Sequence, residues 1–441
     1  MNVAVLGLWH LGCVTAACAA KFESVIGIDF DPAVIAQLQN GKPPLFEPGL
    51  EERIGEGLQS GRLTFSCDPA RSCKDADLLW VCYDTPVDEN DVADLTPVID
   101  GVERCVPHLR SGTLILISSQ IPAGTCRALE IRFPGHRFAY SPENLRLGKA
   151  LSIFSDADRI ILGVRKEEDA KELEPLLTQF TQNLIIVRTE SAEMIKHAIN
   201  SFLASSIAFM NEISRICEQV GADAKEVERG LKSEPRIGPG AYLSPGGPFA
   251  GGTLARDVVA LTKIGQKQGE PLVLVPAIKL SNDQHKFWAI QKLREELGEL
   301  SGKKVAILGL TYKPQTDTLR RSLAIELCRE LLKARANMRA YDPIVAALPD
   351  DLAAVVLSRK LEEVVADCGA VVVCTEWPEI READWDAILA KTRDLLFVDA
   401  NGFLATTMGN RTGVTYRQVG KPKKTSRQDI ESHAKTQRRQ A

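Results

Sequence analysis

The 441-residue chain is too long for a single hydrophobic core and, with 44% hydrophobic residues, carries enough apolar material for two or three. Its 54 Lys+Arg against 58 Asp+Glu leave a net charge of -4, which excludes the basic field that nucleic acid or an anionic membrane surface requires as a partner. The 11 cysteines stand singly, with no Cys-x-x-Cys pair and no His-rich cluster, so they read as reduced thiols of a cytoplasmic protein, and no metal is implied.

In chain order, the apolar opening Val3 to Ala20 lacks the basic flank of a signal peptide and passes directly into a strand-turn-helix pattern. No later segment approaches the roughly 20 uninterrupted apolar residues of a membrane-spanning helix. Across residues 1–190, β-branched runs at Asn2–Leu6, Val25–Asp29, Leu78–Cys82, Thr113–Ser118, Arg159–Leu162 and Leu184–Val187 alternate with helical stretches. This predicts an α/β domain around a parallel doubly wound sheet. Residues 191–300 turn helical, with apolar positions recurring at three and four through Ile195, Ala198, Ile199, Phe202 and Leu203 and on past Ile213 and Ile216. The Gly/Pro-rich stretch Gly238 to Gly252 interrupts them as a loop. Residues 301–419 start a second strand-turn-helix at Lys303–Leu310 and continue through Met338–Asp342, Ala370–Cys374 and Leu395–Asp399. That is a second Rossmann-like α/β domain. The basic, apolar-poor residues 420–441 read as a disordered tail.

Gly7-Leu8-Trp9-His10-Leu11-Gly12 follows the first strand and opens a helix, where backbone N–H groups and the helix N-terminus can hold a pyrophosphate. The middle glycine of the usual fingerprint is Trp9, which weakens the motif when taken alone. Asp29 ends the second strand, where a carboxylate binds a ribose 2′-hydroxyl, and no arginine follows closely to receive a 2′-phosphate, so NAD is expected rather than NADP.

Further motifs occur in one order along the chain: Asn40-Gly41 and Glu47 to Leu50, Asp84 to Pro86 with Ala93 to Leu95, Ile121 to Thr125, and Ser141 to Arg146. Ala192 to Lys196 with Asn200, Arg236 to Gly238 with Tyr242-Leu243, Tyr312 to Pro314, Thr316-Asp317 with Arg320 and Ser322, Tyr341 to Pro343, and Thr375 to Trp377 follow. In this set the chain resembles the UDP-glucose/GDP-mannose dehydrogenase family. The resemblance implies an NAD domain, a central domain with a long dimerisation helix, a C-terminal domain over a UDP-sugar, and a homodimer or higher homo-oligomer. Carried over by position, it implies cofactor contacts from Gly7, Trp9, Leu11, Gly12, Asp29, Thr85, Gln120, Glu143, Arg256 and Arg320. It implies nucleotide-sugar contacts from Asn144, Leu145, Lys196, Asn200, Arg236, Tyr242, Leu243, Gly251 and Lys313, of which Arg236 and Lys313 can neutralise a diphosphate.

The catalytic set implied by the resemblance is Lys196, Asn200, Asp257, Glu143 and Gln120, and here the chain departs from the family. Gln120 replaces the threonine of Ser-Thr-Ile-Pro, and Leu147 replaces the second glutamate of Pro-Glu-Phe-Leu-Arg-Glu. Asn401 stands where Asp-x-Arg-Asn has arginine. The family loop Gly-Gly-Ser-Cys-Phe-Pro-Lys-Asp holds a nucleophilic cysteine; in this chain Gly251 and Gly252 lead through Thr253, Leu254 and Ala255, one residue fewer, to Arg256-Asp257. The cysteine is therefore replaced around Thr253-Leu254, and none occurs between Cys217 and Cys328. Lys196 and Asn200, four apart on a predicted helix, project toward one volume. Removing a hydride from a carbinol requires a base for its proton and fixed donors for the developing carbonyl. Lys196, or Asp257 through a water, fills the first role, Asn200 the second, and Glu143 orients Lys196. An aldehyde offers no second hydride until a nucleophile adds, which a thiolate does far better than a threonine hydroxyl without an adjacent base. The expectation is a two-electron, NAD-dependent oxidoreductase of a nucleotide sugar. The alternatives are an epimerase that oxidises transiently with retained NAD, and a non-catalytic nucleotide-sugar-binding protein.

Overall fold

β1 (Asn2–Leu6) after its exposed Asn2, and β4 (Leu78–Val81) and β5 (Leu114–Ile117) throughout, are apolar and buried. Interior strands of a parallel sheet need this, because helices cover both faces and each fully buried Leu, Ile or Val contributes about 1.5–3 kcal/mol. The computed structural model describes residues 1–422 apart from Glu89, Gly251 and residues 391–393.

With β2 (Ser24–Ile28), β3 (Leu63–Ser66), β6 (Arg137–Tyr140), β7 (Ile160–Val164) and β8 (Leu184–Arg188), these strands form an eight-stranded sheet of order β3-β2-β1-β4-β5-β6-β7-β8. The expectation of a wholly parallel sheet is corrected at one junction, where β6 and β7 run antiparallel, paired at Tyr140 and Gly163. β3 and β6 were not expected from the sequence; each is four residues long, and β3 alternates buried and exposed as an edge strand does.

β9 (Lys304–Leu308), β10 (Asn337–Tyr341), β11 (Val356–Ser358), β12 (Ala370–Val373), β13 (Leu395–Asp399) and β14 (Val414–Arg417) form a six-stranded parallel sheet of order β11-β10-β9-β12-β13-β14. Its first turn repeats that of the larger sheet. Gly7 N–H donates to the Ile28 carbonyl and Leu8 N–H to Asp29; Gly309 N–H donates to the Tyr341 carbonyl and Leu310 N–H to Asp342. The turns diverge afterwards. A helix (His10–Ala19) begins at once after β1, whereas residues 311–321 intervene before the helix Leu323–Lys333 after β9.

Helices Thr189–Val220, Ala224–Ser233, Thr253–Gln268, Leu274–His285 and Trp288–Leu297 fill the middle of the chain. By packing, the protein divides into two compact units: residues 1–199 with 259–269, and residues 200–258 with 270–441. Gly420 and Lys421, expected in the tail, are tied down in the second unit. Gly420 N–H donates to Glu218 and Lys421 pairs with Asp223; residues 423–441 lie outside the described residues. Among the described residues no helix is long and apolar enough to cross a membrane, and no group of three His, Cys, Asp or Glu side chains could hold a metal ion.

Candidate active site

In the first unit, Gly7 adopts φ +89°, and a Cβ there would lie 2.8 Å from the Tyr83 ring. A Cβ on Gly12 would lie 1.7 Å from the Gly7 carbonyl oxygen, so no other residue lets the helix start this close to β1. That helix has no side-chain cap and no acidic residue in its first turn, which leaves its leading N–H groups for an anion. Leu11 is buried behind the turn, while Trp9, preceding the helix, is 48% exposed. The Asp29 carboxylate accepts from Leu8 N–H at 2.9 Å and Asp31 N–H at 3.0 Å. A glycine turn, an uncapped helix start and a carboxylate at the end of the second strand together fit NAD.

Glu47 ties this turn to the loop after β6. Its buried carboxylate accepts from Gly148 and Ala150 N–H, both at 2.8 Å, and meets His10 Nε2 at 2.9 Å. Burial works to raise its pKa, but these three bonds outweigh burial and hold it below the usual carboxylate range.

The same loop carries Glu143, whose Oε2 accepts from Leu145 N–H. Lys196 Nζ donates to the Glu143 carbonyl at 2.5 Å and to its Oε1 at 3.2 Å, with the Lys196 side chain 6% exposed. The sequence-predicted pairing of these two residues is therefore present. Thr85 Oγ1 donates to the carbonyl of buried Gln120 at 3.0 Å. Glu193, three residues before Lys196, is fully buried and accepts from Gly124 and Cys126 N–H at 2.6 and 2.9 Å. It seats the helix Thr125–Arg132 that follows Gln120. Glu47 and Glu193 lie within segments quoted for the resemblance, but nothing in the sequence assigned them these jobs.

In the second unit, Asn200 Nδ2 donates to Asp257 Oδ2 at 2.5 Å, and Asp257 is wholly buried. Asp257 belongs to the helix that starts at Thr253, so Thr253 precedes it by one turn on the same face. The family loop places its cysteine four residues before the aspartate, and counting back from Asp257 puts Thr253 at that position. Leu254, the other residue at which the cysteine is replaced, is one of the helix's packing residues. The Thr253 side chain is exposed and makes no hydrogen bond among the described residues.

The loop leading into Thr253 is held by side-chain amides and an imidazole. Gly246 N–H donates to Asn211, whose Nδ2 donates to the Gly247 carbonyl, and Gly247 N–H donates to Asn401 Oδ1 at 2.7 Å. Asn282 exchanges two bonds with the Phe249 backbone. His285 Nε2 lies 2.8 Å from the Gly246 carbonyl and its Nδ1 2.9 Å from Arg215. Burial pushes the His285 pKa down to about 4, so the ring is neutral, donating at Nε2 and accepting at Nδ1. Asn401 thus does mechanical work, and its Nδ2 donates to Glu376.

Other sequence-predicted residues are placed less decisively. Leu243 is buried and Tyr242 is 43% exposed. Arg236 points outward, its side chain 88% exposed and paired with Glu234. Arg320 and Asn144 are exposed; Lys313 and Arg256 are half-buried. Gly251 lies outside the described residues.

Residues 1–181 match the NAD binding domain of the UDP-glucose/GDP-mannose dehydrogenase family, residues 190–284 its central domain and residues 306–406 its UDP binding domain. UDP-glucose 6-dehydrogenase YwqF of Bacillus subtilis is 33% identical over 435 residues, 96% of this chain and 98% of that protein. UDP-glucose 6-dehydrogenase of Rhizobium meliloti is 32% identical over 444 residues, covering 96% and 100%. Among solved structures, a UDP-glucose dehydrogenase from Pyrobaculum islandicum superposes with a TM-score of 0.83 at 28% identity, covering 95% of this chain and 98% of that one.

Proposed function

The chain belongs to the UDP-glucose/GDP-mannose dehydrogenase family, and we propose that it removes a single hydride from a carbinol of a UDP-sugar instead of continuing to a uronic acid. The coarser statement, an NAD-dependent oxidoreductase of nucleotide sugars, follows from the family. The observation that carries the finer reading is Thr253 at the cysteine's position, in a chain with no cysteine between Cys217 and Cys328.

Bound NAD supplies the hydride acceptor. The Gly7–Gly12 turn, Trp9 included, holds its pyrophosphate and Asp29 its adenosine ribose, with Thr85, Gln120, Arg256 and Arg320 completing the cofactor contacts. Lys196 donates to the carbinol oxygen and relays its proton, passing one to Glu143 Oε1 as it takes the substrate's. Asn200 has one N–H engaged by Asp257 and a second for the developing carbonyl oxygen. Asn144, Leu145, Arg236, Tyr242, Leu243, Gly251 and Lys313 bind the nucleotide sugar. Thr253 cannot trap an aldehyde as a thiolate does, because Asp257, the carboxylate nearest in the helix, is buried and engaged by Asn200.

Residues 1–190, 191–300 and 301–419 divide the work into cofactor, assembly and nucleotide-sugar segments. All 11 cysteines are free, which supports a cytoplasmic setting. The epimerase reading draws support from Trp9, whose bulk over the helix start would slow cofactor exchange.

Incubation with UDP-, GDP- and CDP-sugars plus NAD tests the reading. One NADH per sugar and a product two hydrogens lighter are expected. Retained NAD with an isomeric product would establish the epimerase instead, and tight UDP-sugar binding without hydride transfer a binding protein.

A further inference from the structure

The helix Thr96–Cys105 reaches the dinucleotide turn through the ring of Tyr83. A Cβ on Gly7 would lie 2.8 Å from that ring, and one on Gly101 would lie 2.4 Å from it, so the ring is packed between turn and helix with no side chain from either. Arg104 follows Gly101 by three residues and shares its face of the helix. Its guanidinium carbon lies 3.3 Å from the centroid of Phe30, the residue after Asp29. Burial and the charge of Asp29 both raise the Tyr83 phenol pKa while Arg104 opposes them, so the two opposite charges act on one ring.

Arg104 is exposed and makes no hydrogen bond or ion pair among the described residues. The Phe30 ring therefore holds in place a guanidinium whose five N–H donors are unspent. Asp29, by contrast, already accepts two backbone N–H groups. A lone carboxylate at this point favours a free ribose 2′-hydroxyl and repels a 2′-phosphate. A guanidinium held over the ring of the next residue offsets that repulsion and offers the forked geometry that phosphate takes.

We propose that Arg104, stacked on Phe30 beside Asp29, is a phosphate-reading element that lets this chain bind the 2′-phosphorylated dinucleotide NADP as well as NAD. The proposal rests on the assignment of Asp29 to the adenosine ribose. Sequence alone conceals it, because the arginine comes from a different helix and not from the turn after Asp29.

Titration calorimetry on the full chain with NAD, NADP and 2′,5′-ADP tests it, using wild type, Arg104→Ala and Arg104→Lys. NADP should bind wild type within about tenfold of NAD. Arg104→Ala should weaken NADP and 2′,5′-ADP at least about tenfold while leaving NAD within about twofold. Arg104→Lys should recover only part of the loss, since it keeps the charge and loses the planar fork. Equal effects on both dinucleotides, or none, would overturn the proposal, as would a wild type blind to NADP that still binds NAD. Failure to bind either dinucleotide would remove the cofactor assignment beneath it as well.

Discussion

Thr253 and Lys196 are single residues on which the proposed chemistry turns. Thr253→Cys puts a thiol at a helix start, one turn from Asp257, where the helix dipole favours a thiolate. This variant should raise the NADH yield from one toward two per sugar and produce a uronic acid visible by mass; an unchanged yield would mean the position is not the nucleophile's. Lys196→Ala should lower kcat by roughly 10²–10⁴-fold with the fold retained by circular dichroism. His285 gives a separate test through pH. Its pKa falls from 6.5 to about 4 on folding, so the unfolded chain takes up the proton first. The contribution is complete above pH 6.5, declines as pH drops through that value, and levels off below about 4, a span worth roughly 3 kcal/mol. Urea midpoints between pH 7 and 4 should show this slope in wild type and lose it in His285→Gln. The sequence disclosed Lys196, Asn200 and Glu143 because they lie in short motifs with helical spacing. It concealed His285, Asn282 and Asn211, ordinary polar residues that meet only when two helices and a loop converge.

Among the elements, the helix Thr125–Arg132 depends on a carboxylate from elsewhere. Gly124 precedes it without a side-chain cap, and Glu193 supplies two buried acceptors instead. Glu193→Ala should cost about 2–3 kcal/mol, since one buried and one half-buried N–H group lose a charged partner. A lower Tm beside near-unchanged NAD affinity would agree with a seating role; an unchanged Tm would contradict it. Strands such as β1, β4 and β5 were legible because burial on both faces leaves a continuous apolar signal even over four or five residues. β3, β6, β11 and β14 were not, because polar residues interrupt each of them and their place in the sheet depends on neighbours that no local pattern reveals.

For the whole molecule, the helix Thr189–Val220 leaves Phe202, Phe209, Ile216 and Val220 at 72%, 49%, 56% and 71% exposure. The first three recur every seven residues, a stripe that a second copy of the chain can cover. Light scattering should give a dimer or larger assembly for wild type and a smaller species for Phe202→Glu/Phe209→Glu; a monomeric wild type would contradict this. Both sheet domains were legible at this scale because each opens with the same strand, glycine turn and aspartate. The division into two packing units was not, since it cuts through the helices Thr189–Val220 and Thr253–Gln268, where no local signal marks a break.

The proposed chemistry differs from that of a uronic-acid-forming dehydrogenase in where oxidation stops. Mass analysis of the sugar product from wild-type protein, excess NAD and the preferred UDP-sugar is the direct measurement. The expected result is a keto-sugar or an aldehyde two hydrogens lighter than the substrate, with one NADH per sugar and no uronic acid. A UDP-uronic acid formed with two NADH per sugar would contradict it.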